Sequence, residues 1–204
     1  MAFDTYMQFK FAGTSPTGTP YLKGESQVQV KSDTPLGTDI QAGFVFEIDD
    51  FNFDIEQVLN IGSQSSGAGA GKVTFNPFTI TRKTDRASPT LFTMCCSGQH
   101  FESVSLYIRR AGGGGSTSSG MTSGWTFLRF DFALVAVKTI SWSGSDGDES
   151  PKEEVAFEYG ALQARYVQQN ADGSPMTSGD NQTMGSWNRV YNNNSFSLSG
   201  IKAT

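Results

Sequence analysis

A mainly β protein, built as an antiparallel meander or barrel with one short α-helix, is the fold class this sequence predicts, and three observations carry the prediction. Apolar and polar residues alternate with period two in Gln27-Val28-Gln29-Val30-Lys31, Val104-Ser105-Leu106-Tyr107-Ile108 and Val155-Ala156-Phe157-Glu158-Tyr159, far more often than they recur at helical spacing. Connections rich in glycine and serine at 62–71, 112–124 and 143–150 supply the turns that such a sheet needs, and each joins strand to strand rather than domain to domain. The third observation is the helix signal of 88–98, where start and stop residues bracket a short apolar run.

Taken in chain order, the segment Glu47–Gln57 alternates Phe51, Phe53 and Ile55 with Asn52, Asp54 and Glu56, which predicts a strand with one dry and one wet, acidic face. The wet face belongs either to an outer strand facing solvent or to the wall of a channel. A strand over Val73–Thr81 follows, then the helix. Ser88 offers a hydroxyl N-cap, Pro89 fits the first helical position, and Gly98 stands where the helix should stop. Leu91, Cys95 and Phe92 are the residues that would face the core. The next strand is expected over Phe101–Arg110.

Length and composition set the outer limits. A chain of 204 residues with 37% hydrophobic and 12% aromatic content can bury roughly 70% of its unfolded surface as a single domain spanning 1–204. The net charge of −5 leaves no broad basic face for a phosphate backbone, so nucleic acid is not an expected partner. Cys95 and Cys96 are the only cysteines, and sequence neighbours are poorly placed to bridge, which excludes a disulfide scaffold. Met1-Ala2-Phe3-Asp4-Thr5-Tyr6 has neither a basic region nor an apolar core, and no run of about 18 apolar residues occurs. The expectation is a cytoplasmic protein with no membrane insertion, whose export, if any, uses no cleaved signal.

Catalytic constellations are missing. His100 is the only histidine and has no nucleophile motif beside it; G-x-S-x-G does not occur. Gly67-Ala68-Gly69-Ala70-Gly71-Lys72-Val73 imitates a phosphate loop, but its first required glycine is Ser66, Val73 stands where Ser or Thr should follow the lysine, and a strand follows instead of a helix. Asp50, Asn52 and Asp54 open like a calcium loop, yet Ile55 and Ile61 occupy the positions that need glycine and glutamate. Asp146, Asp148, Glu149, Glu153 and Glu154 cluster around a turn, as a solvated loop or a weak cation site would. No catalytic residue, cofactor or metal site is predicted.

Four stretches, Gly69-Ala70-Gly71-Lys72-Val73, Asp85-Arg86-Ala87-Ser88-Pro89-Thr90-Leu91-Phe92, Cys96-Ser97-Gly98-Gln99-His100 and Leu106-Tyr107-Ile108-Arg109-Arg110-Ala111-Gly112, resemble in order and spacing the central signature of the Hcp tube proteins of type VI secretion. Glu153–Gly160, Tyr166–Ser174, Trp187-Asn188 and the opening Met1-Ala2-Phe3-Asp4 are similar to further parts of that family. The resemblance implies a β-barrel of antiparallel strands with one short flanking α-helix, assembling as a hexameric ring with a wide lumen. Rings of that family stack into the secretion tube and are exported with it, so the chain would be cytoplasmic before firing and extracellular afterwards. Its partners would be copies of itself, the sheath, baseplate and spike proteins, and secreted effectors carried in the lumen.

By the same resemblance Asn52, Asp54 and Glu56 would line the lumen, with Asp54 facing cargo, and the loop holding Gly62, Gly67, Gly69, Gly71 and Lys72 would reach a neighbouring ring. Departures from the family pattern are insertions near 27–46 and 113–124, Ser186 between glycine and tryptophan, and a polar C-terminal tail, 192–204. The acids of 146–154 and the bases Arg82, Lys83, Arg86, Arg109 and Arg110 are expected to meet across ring faces. The competing readings are the tail-tube protein of a phage or other contractile injection particle, and a secreted enzyme or binding module on the same scaffold.

Overall fold

The structure, a computed structural model, describes residues 3–13, 18–28, 36, 40–59, 70–110, 124–171, 174–176 and 181–198. In chain order the elements are β1 (Phe3–Phe11), β2 (Phe46–Glu47), β3 (Asp50–Asn52), β4 (Ile55–Leu59), β5 (Ala70–Phe75), β6 (Phe78–Lys83), α1 (Ser88–Ser97), β7 (His100–Arg110), β8 (Thr126–Ser143), β9 (Lys152–Val167) and β10 (Gln182–Asn188). The main sheet runs β2-β1-β7-β8-β9-β6-β3, with β10 also on β9, while β4 and β5 form a separate antiparallel ribbon.

That path closes on itself. Only Ile48 and Asp49 separate β2 from β3, so the first and last members are one stretch of chain, and it pairs with β1 before crossing to β6. The crossing is bracketed by two backbone bonds, Ile48 N to Thr5 O at 3.2 Å and Asp49 N to Thr81 O at 2.8 Å. The barrel predicted from the sequence is therefore present, with no free edge along the line where 46–52 sits.

Its interior is aromatic. Phe9, Phe46, Phe78, Phe101, Phe132 and Phe157 are each exposed by 2% or less. Phe78 stacks on Phe132 at 4.6 Å, and Phe101 meets Phe9 edge-on at 4.9 Å. Offset and edge-to-face pairs of this kind add about 0.5–1.5 kcal/mol each beyond the area they bury. The inward-facing set changes parity halfway along the two longest strands: Phe132 is followed by Val135 in β8, and Tyr159 by Leu162 in β9. At that bend Leu134 takes φ 53°, and it lies opposite Gly160, where an added Cβ would come within 3.2 Å of the Leu134 side chain.

Two expected strands are broken. The run Val73–Thr81 is β5 and β6, separated by Asn76 and Pro77, because proline has no N–H to continue a ladder. The run Glu47–Gln57 is parts of β2, β3 and β4, turning at Phe53 and Asp54. Phe53 turns onto the core, edge-on to Phe130 at 5.0 Å, whereas Ile55 is 45% exposed on the ribbon, so no single dry face spans the segment.

The helix lies where the sequence places it, but Ser88 is inside it and makes no cap bond. Ala87 holds the N-cap position. Asp85 Oδ1 accepts from Ala87 N at 2.8 Å, while the Ser88 hydroxyl accepts from Arg82 Nη2 at 2.9 Å. Gly98 ends the helix at φ 66°. Leu91 and Met94 are buried and Cys95 packs beside them, but Phe92 is 47% exposed and leans on Trp142 at 5.9 Å instead of entering the core.

The insertion near 27–46 does more than loop out. Val28, Ile40 and Val45 pack with Tyr6 and Tyr107 into a second small core on the outer side of β1 and β7. Of the 113–124 insertion only Gly124 is described, and its carbonyl accepts from the Arg109 guanidinium. Residues 192–198 of the tail fold back along β10: Ser186 Oγ donates to Asn194 O at 2.6 Å, and Asn188 Nδ2 to Ser197 O at 3.0 Å.

Candidate assembly surface

Strand β9 has β8 along one side for its whole length, but its other side changes partner. β6 covers it up to Phe157 and β10 takes over from Ala161. Residues 158–160 fall between, and Arg189 fills the interruption. Its backbone N donates to Gly160 O at 2.9 Å, and its Nη1 donates to Tyr159 O at 2.7 Å and to Glu158 Oε2 at 3.2 Å. The guanidinium carbon lies 5.3 Å from the Phe75 ring centre and 5.2 Å from that of Tyr159.

Around this notch opens a cavity of about 700 Å³, walled by Val73, Phe75, Leu134, Trp187, Val190 and their neighbours. Glu158 receives a second cation from Lys138 at 3.0 Å. Burial alone would raise its carboxyl, but the hydrogen bonds from Lys138 and Arg189 outweigh that and hold it below the usual glutamate value. Tyr159 is pushed up to about 12, first by burial; the nearby Arg189 charge opposes the shift. Its hydroxyl is buried and has no hydrogen-bond partner among the described residues. Trp187, Val190 and Tyr191 remain exposed by 36%, 50% and 47% at the rim.

A second exposed aromatic surface forms where Phe92 of α1 rests on Trp142 of β8, 48% exposed. Trp142 is fixed from behind, its indole N–H donating to Glu153 Oε2 at 2.7 Å. Glu153 is fully buried and bound by Arg82, Nε to Oε1 at 2.8 Å; Arg82 also pairs with Asp85 at 2.8 Å and covers the Phe46 ring at 4.4 Å. The acidic turn 144–150 adjoins this surface, with Asp146, Asp148 and Glu149 exposed.

These placements revise several expectations. Arg82, Arg109 and Glu153 are interior residues and cannot meet a partner across a ring face; Lys83 pairs with Glu149 of its own chain at 3.1 Å, which raises the lysine. Asn52, Asp54 and Glu56 are all exposed, but on three different pieces of chain: Asn52 opposite Thr79, Glu56 opposite Thr74, and Asp54 at the corner between them. Asp54 Oδ2 accepts from Asn76 Nδ2 at 2.7 Å, and its carbonyl accepts from Asn76 N at 3.2 Å, so it also holds the corner. Gly62, Gly67 and Gly69 lie outside the described residues; Gly71 and Lys72 belong to β5 rather than to a loop. His100 opens β7 opposite Ala136.

Nothing in the sequence singled out Arg189. Its role depends on β6 and β10 stopping short of each other on β9, which no local sequence signal announces.

Comparison with known proteins bears on the family and the fold. A family model described as "Type VI secretion system effector, Hcp" matches residues 18–166. The protein named hcp1 of Pseudomonas aeruginosa is 32% identical over 103 residues, which is 50% of this chain and 59% of that protein, so the match spans under two thirds of the relative. A solved type six secretion system protein superposes with a TM-score of 0.69 at 24% identity, covering 95% of this chain and all of the other. Hcp1 from Salmonella typhimurium gives 0.59 at 22% identity, with the same coverage of both chains. Both structures share the fold.

Proposed function

This chain belongs to the Hcp family of type VI secretion proteins, and on that premise we propose that it is a structural subunit of the secretion tube, not an enzyme. Copies join side by side as a hexameric ring, rings stack, and the assembly leaves the cell with its cargo. The family match over 18–166 carries this reading. Supporting it, a closed barrel leaves aromatic surface exposed at two unlike places, the Trp187 rim and the Phe92–Trp142 pair, which water alone covers poorly and a ring would bury.

In this reading the exposed acids Asp54 and Glu56, with Asn52, face the lumen and contact effectors. The ribbon of β4 and β5, with the loop that carries Gly62, Gly67 and Gly69 between them, reaches the next ring. Sheath, baseplate and spike proteins are the partners that the role requires. Light scattering at high protein concentration and low salt, followed by negative-stain imaging, tests it. Particles of uniform diameter with a central hole are the expected result; a strict monomer would refute it.

A further inference from the structure

Asp146 and Gly147 form the tip of the turn between β8 and β9, and neither makes a hydrogen bond or ion pair among the described residues. We propose that this pair is a site of spontaneous covalent modification, where Asp146 becomes isoaspartate through a cyclic imide made with the Gly147 nitrogen. The inference is independent of the ring reading, because every group it needs belongs to one copy of the chain.

The chemistry asks for an open carboxyl, an unoccupied amide beside it, and room for the two to close. Asp146 is exposed, and its carboxyl binds nothing that would hold it away. Gly147 has φ 105°, a conformation that residues with a side chain rarely take, and a Cβ added there would meet nothing within 4 Å. Attack by the Gly147 nitrogen on Asp146 Cγ forms the N–Cγ bond; the Cγ–OH bond breaks, and the hydroxyl leaves with the amide proton as water. Water then opens the five-membered ring. Addition at Cγ restores aspartate, whereas addition at the main-chain carbonyl carbon gives isoaspartate, whose backbone runs through the side-chain carbon.

No other described aspartate is so placed. Each is followed by a residue whose side chain crowds the nitrogen, and several are tied down: Asp50 Oδ1 accepts from Phe51 N at 2.8 Å, Asp54 Oδ2 from Asn76 at 2.7 Å, and Asp148 Oδ2 from Ser145 N at 2.9 Å. At Asn194-Ser195, where an asparagine could take the same route, Ser195 N already donates to Asn193 Oδ1 at 3.0 Å.

Isoaspartate adds one carbon to the main chain between Ser145 and Asp148, so the bonds that close the tip, Asp148 N to Ser145 O at 3.1 Å and Ser145 N to Asp148 Oδ2, cannot both survive. The base of the turn is held separately. Thr84 donates to Pro151 O from N at 3.0 Å and from Oγ1 at 2.8 Å, and Lys83 holds Glu149 at 3.1 Å. The tip therefore changes shape while the barrel stays intact. The freed α-carboxylate is then an exposed acceptor for a carboxyl methyltransferase, which would move a methyl group onto its oxygen from S-adenosylmethionine.

Ageing the folded full chain at neutral pH for several weeks tests the proposal. Trypsin cuts after Lys138 and Lys152, releasing 139–152 as one peptide. That peptide should resolve into two forms of equal mass, preceded by a form lighter by one water, and an isoaspartyl methyltransferase should label the slower-formed isomer. Asp146→Glu keeps the charge but cannot close a five-membered ring, so it should lose the second form and the label from 139–152, with the melting temperature unchanged. A wild-type 139–152 peptide that stays a single species overturns the proposal. So does label that persists on that peptide in Asp146→Glu, or label confined to 166–189, which holds the chain's other Asp-Gly pair, Asp172-Gly173.

Discussion

Arg189 Nη1 lies 2.7 Å from the carbonyl oxygen of Tyr159, a side-chain bond that takes the place of a strand in the one stretch of β9 that neither β6 nor β10 reaches. A guanidinium suits the position because it can serve a backbone oxygen and a carboxylate at once while lying over two aromatic rings.

Replacing Arg189 with methionine should therefore cost about 1–3 kcal/mol, the usual penalty when a partly buried acceptor loses its donor. Lysine should recover only part, since a point charge cannot bridge both oxygens. Urea unfolding of the three proteins measures the difference.

Tyr159 predicts an alkaline limit. Its folded pKa of about 12 exceeds the ordinary value of 10.0, so above pH 10 the unfolded chain releases a proton that the folded chain keeps. Stability should hold below pH 10 and fall between 10 and 12 by about 1.4 kcal/mol per pH unit from this group. Tyr159→Phe should flatten that part of the profile, and thermal melts across the range would reveal it.

Gly160→Ala would press a methyl against the Leu134 side chain at 3.2 Å and against Leu198 Cδ1 at 3.3 Å. Overpacking of this kind costs about 1–3 kcal/mol. Leu198→Ala should relieve part of the penalty, so a double-mutant cycle should be non-additive. Additivity would mean the tail does not rest on Gly160.

Cutting the buried Arg82–Glu153 pair on one side should be the most damaging of these changes. Glu153→Ala leaves the guanidinium without its main partner, a loss of about 3–5 kcal/mol for a buried pair. It also frees the Trp142 indole, so the emission spectrum should shift along with the unfolding midpoint.

The helix was legible because its signals are local: Pro89 at the start and Gly98 at the end are neighbours of what they control. The alternation of β7 and β9 was legible for the same reason. Asp54 and Pro77 were harder, since period two continues across both corners and only the tertiary turn of Phe53 into the core breaks it. Arg82 and Arg109 looked like surface charges because the partners that allow their burial, Glu153 and the Gly124 carbonyl, adjoin them only once the barrel is formed. The Arg189 notch was the least readable, for it exists only where two strands from distant parts of the chain fail to meet.

The short stretch 46–52 has a consequence for synthesis. It is among the earlier parts of the chain to leave the ribosome, yet β1 must wait for β7, about a hundred residues later, and β6 must wait for β9 before either can offer a settled edge. The strand pairing thus lets the seam close fully only after nearly the whole barrel wall has emerged, which leaves the phenylalanine-rich interior open to water until then. Chaperone demand should peak late in translation and end abruptly as the last long strand arrives.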